Sequence, residues 1–297
     1  MKARGFASPA AFLQALDQRL RNLVGGGSSL ARVRQILVFD RFMARVAAEF
    51  EKSVILKGGL VMELRVAKAR TTQDIDLRIS GAADQILARL QNAANRDSGD
   101  FFTFKVERDL KHPTIQVAGM PYDCQRFRAE GRIGGRLYGA PFGVDVGIGD
   151  PLVGEIETVS APDLLGFAGI APPQLRLYPL ESHVAEKLHA YTLPRPRPNS
   201  RVKDLPDIAL LASARAVDGA LLREALAATF AARRSHPLPR MLPEPPSSWE
   251  LPYAAMATTD ELPWPTLATV TAAARAFLDP PLLGQGGRWE PQAWRWG

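Results

Sequence analysis

The chain has 297 residues, 46 % of them hydrophobic and 23 % charged, which suits one large or two ordinary globular domains with a substantial core. Its 37 Lys and Arg against 31 Asp and Glu leave a net charge of +6, compatible with an RNA partner without being diagnostic of one. A single cysteine, Cys124, excludes an intrachain disulfide framework and a cysteine-based zinc site and fits a reducing cytoplasm, and no signal-peptide core or membrane-length apolar run is expected.

Residues 8–24 carry the first helix signal. Ser8 suits an N-cap, Pro9 suits the first helical position, and Phe12, Leu16, Leu20 and Leu23 form an apolar stripe. Gly25-Gly26-Gly27-Ser28-Ser29 breaks the pattern before a second helix over about 30–49, with Val33, Leu37, Phe42 and Val46 periodic. Val54-Ile55-Leu56 reads as a short strand running into Gly58-Gly59, and 60–66 resumes as helix. Residues 72–79 alternate Asp74 and Asp76 with Ile75, Leu77 and Ile79, a strand with one apolar face. A helix over 82–94 follows, then strands over 101–108, 114–118 and 122–128, a turn at 131–135, and a strand over 142–148. Together these predict a mixed sheet with crossing helices, an α/β (α+β) class.

After about residue 160 the pattern turns helical, with segments at 181–192, 204–214, 220–234 and 267–278. Residues 194–200 form a Pro- and Arg-rich loop, and the six prolines of 236–252 predict an irregular stretch. Trp289, Trp294 and Trp296 predict that the last residues are docked rather than loose. The expected organisation is N-terminal helices over 1–50, a sheet-bearing core over 51–165 and a mainly helical region over 166–297.

The chemistry concentrates around Lys57-Gly58-Gly59 and Asp74-x-Asp76. Glycines allow a backbone to approach a bulky anion closely, and two aspartates two residues apart on a strand share a face. Hard oxygen donors beside a phosphate-sized notch point to magnesium and a nucleoside triphosphate, with one or two ions serving an in-line displacement. Asp145, between Val144 and Val146 but facing the other way, is the candidate third ligand; a carboxylate there is costly unless paired or metal-bound. Asp123 is its rival, and an outward-facing surface aspartate is the plain alternative. Arg70, Thr71 and Thr72 can contact phosphate oxygens, or can simply begin a strand.

A second cluster lies over 181–207. His183, Lys187 and Tyr191 follow one another at one-turn spacing and share a helix face, so Lys187 can reach a triphosphate as a point charge. Asp204 opens the next helix and can orient Lys187; a solvated face with a salt bridge is the alternative. His183 and His189, six residues apart, do not share a face and suggest no metal pair. The basic loop to Lys203 and the set Arg126, Arg128, Arg132 and Arg136 are two candidate nucleic-acid contacts, each equally readable as ordinary surface.

In order, Lys57-Gly58-Gly59, Arg70-x-Thr72-x-Asp74-x-Asp76, Glu186-Lys187-Leu188-x-Ala190 and Arg201-x-Lys203-Asp204-x-x-Asp207 resemble the AbiEii/AbiGii toxin family, which includes the MenT-like toxins of mycobacteria. The resemblance covers roughly residues 33–215. It implies a nucleotidyltransferase of the DNA polymerase β superfamily, the toxin half of a bacterial toxin–antitoxin pair, with a cognate antitoxin as partner. It further implies transfer of nucleotides from an NTP to the 3′ end of tRNA, which stops aminoacylation and growth. On that pattern Asp74 and Asp76 bind magnesium, Lys187 meets the nucleotide phosphates, Asp204 or Asp207 completes the site, and Thr72 matches a Ser/Thr position. Leu60 departs from the superfamily's commoner Gly-Ser, so a serine contact to phosphate is lost there. Two alternatives stay open: nucleotidylation or phosphorylation of a protein acceptor, and a non-enzymatic RNA- or protein-binding module.

Overall fold

The computed structural model describes residues 5–24, 29–66, 72–110, 114–115, 124–195 and 201–297. Arg70, Thr71 and Asp123, and the loop over 196–200, lie outside the described residues. The first helix, α1 (Pro9–Leu23), starts where Ser8 Oγ accepts a hydrogen bond from the Ala11 amide, and it buries Phe12, Leu16 and Leu20. Ser29 caps α2 (Leu30–Phe50) in the same way through the Arg32 amide.

The strand β1 (Val54–Lys57) passes directly into α3 (Gly58–Arg65), so the glycine pair opens the helix instead of preceding it. The next strand, β2 (Ile75–Ile79), is shorter than the alternation implied, and Asp74 sits just ahead of it. Ile75, Leu77 and Ile79 are buried on one side while Asp76 and Arg78 face the other. After α4 (Ile86–Asn95) come β3 (Phe102–Arg108), β4 (Thr114–Ile115), β5 (Cys124–Ile133), β6 (Arg136–Leu137) and β7 (Phe142–Gly147). The turn expected at 131–135 contracts to Gly134-Gly135, because Gly131, Arg132 and Ile133 continue the ladder opposite Phe104, Thr103 and Phe102. Two four-residue strands not anticipated, β8 (Glu157–Ser160) and β9 (Gln174–Leu177), add an edge; β9 pairs parallel to β1 at Leu56↔Leu177. The sheet runs β3-β5-β7-β2-β1-β9-β8, with β4 and β6 also on β5, and mixes parallel with antiparallel pairs. Its apolar face packs with α1, α2 and α4 in one core that takes in residues as far as Leu177.

A second core begins at Leu180, joined by Met62 of α3. It is built by α5 (Leu180–Thr192), α6 (Asp204–Ala214), β10 (Val217–Asp218), α7 (Gly219–Arg233), α8 (Glu250–Thr259) and α9 (Leu267–Leu282). The proline-rich stretch becomes regular at Glu250: Pro252 lies in the first turn of α8, where a missing N–H removes no intrahelical bond. The chain ends in β11 (Arg288–Glu290) and β12 (Arg295–Trp296), which pair with each other, and β11 pairs with β10. Trp289 is wholly buried and donates its Nε1–H to the Ala212 carbonyl at 2.7 Å, so the tail is docked as expected.

Candidate functional site

Residues aligned across adjacent strands point to the same face of a sheet. Here four consecutive strands align Lys57 with Asp76, Asp76 with Asp145, and Asp145 with Arg126. The outcome is a row of charges, positive–negative–negative–positive, on the face opposite the apolar core. Asp74 joins it from the segment before β2: its Oδ1 accepts the Gly143 amide at 3.0 Å. Thr72 holds that segment, donating its hydroxyl to the Asp74 carbonyl at 3.0 Å and its amide to Glu63 at 2.7 Å.

Glycines make room for these side chains. A Cβ on Gly58, whose φ is +64°, would lie 1.8 Å from Asp76 Oδ2, and one on Gly143 would lie 2.7 Å from Asp74 Oδ1. The glycine pair thus accommodates the protein's own carboxylate as well as lining the cleft. No side chain caps the N-terminus of α3, so its first amides remain suited to an anion.

The opposite wall comes from the second core. Lys187 on α5 donates to Asp204 at 3.1 Å and to Asp207 at 2.7 Å, both buried on the first turn of α6. The resemblance grouped these three residues, and the fold brings them together. Lys57, expected to face phosphate, is held by Asp150 at 2.5 Å and Glu186 at 2.7 Å, with its ammonium 4.6 Å from the centre of the Tyr178 ring. Arg233 of α7 reaches Glu186 at 3.1 Å. Burial opposes charge on Glu186, but Lys57 and Arg233 outweigh it and hold the carboxyl below its ordinary range. Burial likewise opposes charge on Lys57, and Glu186 and Asp150 reverse that, raising its pKa.

Asp76 is pushed the other way, upward, by burial and by Asp145 beside it. Burial also raises Asp145, while Arg126 pulls against it through two hydrogen bonds of 2.6 Å, Nε to Oδ1 and Nη2 to Oδ2. Of the four arginines singled out on β5 and β6, Arg126 alone lines the cleft; Arg132 bonds Glu130 and the Gly135 carbonyl. His183 lines the cleft with both ring nitrogens unbonded, and burial together with Lys187 keeps it neutral.

Between the walls lies a cleft of about 700 Å³, within the size range of small-ligand sites. Among the described residues, seven Lys and Arg and six Asp and Glu line it, with Arg195, Arg201 and Lys203 contributed by the chain around the basic loop. Asp74 and Asp76 suit magnesium, which takes one or two carboxylates and completes its shell with water and substrate phosphates. No group of three or more metal-ligating side chains occurs among the described residues. Asp150, Glu186, Tyr178 and Arg233 were not singled out as site residues from sequence; only Glu186 carried a signal, as the neighbour of Lys187.

The sequence model of the nucleotidyltransferase AbiEii toxin family, assigned to type IV toxin–antitoxin systems, matches residues 41–279. Among solved structures, MenT4, a nucleotidyltransferase toxin of Mycobacterium tuberculosis, superposes with a TM-score of 0.51 at 18 % identity, covering 71 % of this chain and 68 % of its own. JHP933 of Helicobacter pylori is similar at 13 % identity and a TM-score of 0.40, over 69 % of this chain and 82 % of its own. No curated protein matches the sequence. The chain belongs to the AbiEii family and is a toxin nucleotidyltransferase of the mixed α/β fold expected from sequence.

Proposed function

We propose that this toxin transfers a nucleotide from an NTP to the 3′-hydroxyl of a tRNA, with a divalent cation held by Asp74 and Asp76. The observation that carries the reading is the placement of the acidic pair on the sheet across one cleft from Lys187 on α5. A bound cation there would neutralise triphosphate charge and polarise the α-phosphate. The amides of Gly58 and Gly59 donate to phosphate oxygens, and Lys187, oriented by Asp204 and Asp207, supplies a point charge to the same group. Lys57 acts through the glycine turn that it anchors. Arg195, Arg201 and Lys203 give the acceptor's phosphates a basic approach.

In the reaction the 3′-oxygen bonds to the α-phosphorus. The bridge to the β-phosphate breaks, its oxygen keeps the electron pair, and pyrophosphate departs. The hydroxyl proton passes to water in the open cleft. With an NTP and a tRNA as substrates, the toxin would act in the cytoplasm. Among the described residues no helix is long and apolar enough to cross a membrane. A cognate antitoxin would restrain it.

The test offers NTPs labelled at the α- or γ-phosphate to total tRNA and to cell protein. Label from the α-phosphate on tRNA, lost in Asp76→Ala, is the expected result. Label on protein, or label from the γ-phosphate, would replace this reading with protein nucleotidylation or phosphorylation.

A further inference from the structure

Two-ion phosphoryl and nucleotidyl transfer clamps the reacting group between cations about 3.5–4 Å apart, and each cation needs oxygen ligands. Asp145, beside Asp76 in the cross-strand row, is the next carboxylate along and the candidate ligand of a second cation. Both of its oxygens are engaged by the Arg126 guanidinium at 2.6 Å, in the bidentate geometry that gives strong charge-assisted pairs. The pair is partly shielded from solvent, its side chains 28 % and 15 % exposed. Arginine keeps its charge at all ordinary pH, so the positive charge at this end of the row is permanent.

Resting on the nucleotidyltransfer reading above, we propose that Arg126 stands in for the second cation. The site then holds one divalent ion, at Asp74 and Asp76, and Asp145 serves to aim the guanidinium. An arginine has five N–H groups, and Asp145 occupies one on Nε and one on Nη2. The other three make no hydrogen bond to the described residues, and the side chain lines the cleft. Those donors match the non-bridging oxygens of the α-phosphate, where negative charge builds as the 3′-oxygen attacks. Arg126 makes and breaks no covalent bond. Its contribution is to hold and neutralise the transferring group from the side where a second ion would otherwise sit.

The experiment counts manganese by electron paramagnetic resonance on the full chain with a non-hydrolysable α,β-methylene NTP. Wild type should bind one manganese per bound nucleotide. Arg126→Met should bind two, because Asp145 is released, and Arg126→Met with Asp145→Asn should return to one. Arg126→Lys keeps a charge at the position and should stay at one, which guards against loss of fold in the methionine variant. Two ions in wild type, or one in a folded Arg126→Met, would overturn the assignment while leaving nucleotidyltransfer intact. An ion that persists in Asp76→Asn would instead count against the cation site of the proposed function. In the transfer assay Arg126→Met with Asp145→Asn, which has neither the guanidinium nor a second ion, should lower kcat about 10²-fold, as for removal of one transition-state donor.

Discussion

Gly58→Ala separates two roles that this glycine combines. Its φ of +64° is left-handed, so an alanine there is strained by about 1–2 kcal/mol whatever surrounds it. The added Cβ would also meet Asp76 Oδ2 at 1.8 Å, against an ordinary contact of about 3.5–4.0 Å. The carboxylate must therefore retreat by roughly 1.5 Å or more, and a displacement near 1 Å from productive geometry lowers rate about 10²-fold. Gly81 is the control. Its φ is +138° with nothing within 4 Å of an added Cβ, so Gly81→Ala carries backbone strain of about 1–3 kcal/mol and no collision. Urea denaturation should show both variants destabilised, Gly58→Ala at least as much as Gly81→Ala because it adds the collision to the strain. Transfer of α-labelled nucleotide should fall about 10²-fold only in Gly58→Ala. A Gly58→Ala enzyme as active as Gly81→Ala would refute the view that Gly58 is required by the position of Asp76.

Lys187→Met should destabilise the chain as well as slow it: Asp204 and Asp207, their side chains each 1 % exposed, would lose their shared cation. Breaking such a pair from one side costs about 3–5 kcal/mol, and adding Asp207→Asn should recover part of the lost urea midpoint. Stability should also fall with acid because of His189, whose ring is pushed down to about 3 by burial, with Arg233 and His236 adding to the shift. Its Nδ1 faces Arg233 Nη1 at 3.3 Å, a geometry that needs an unprotonated nitrogen. From the ordinary histidine value near 6.5 down to about 3, the unfolded chain binds a proton that the folded chain refuses. Unfolding free energy therefore declines as pH falls through that window. Comparing urea midpoints at neutral and mildly acidic pH, the decline should be shallower in His189→Gln; an unchanged slope would remove His189 as its source.

The acidic pair was legible in sequence because its chemistry is local: Asp74, Ile75, Asp76 and Leu77 show in four residues both the buried face and the charged one. Asp145 was legible for the same reason, since its valine neighbours state which face it occupies. A pairing of Lys187 with Asp204 could be suggested from their places on successive helices, whereas Asp207 entered only through the order of short motifs in a family. Lys57 shows where local reading stops. Its partners are 93 and 129 residues away in the chain, so nothing near it announces that its ammonium is already used. Glu186 sits on α5, Arg233 on α7, Asp150 beyond the end of β7, and Lys57 at the end of β1. Burying these charges is unfavourable for each alone and tolerable only when the four are assembled. Such a cluster favours one placement of the helical core against the sheet. That same placement sets the distance between the acidic pair on β2 and Lys187 on α5. The geometry of the cleft therefore depends on ion pairs between distant parts of the chain, which is why short motifs disclosed the candidate site residues and not what spaces them.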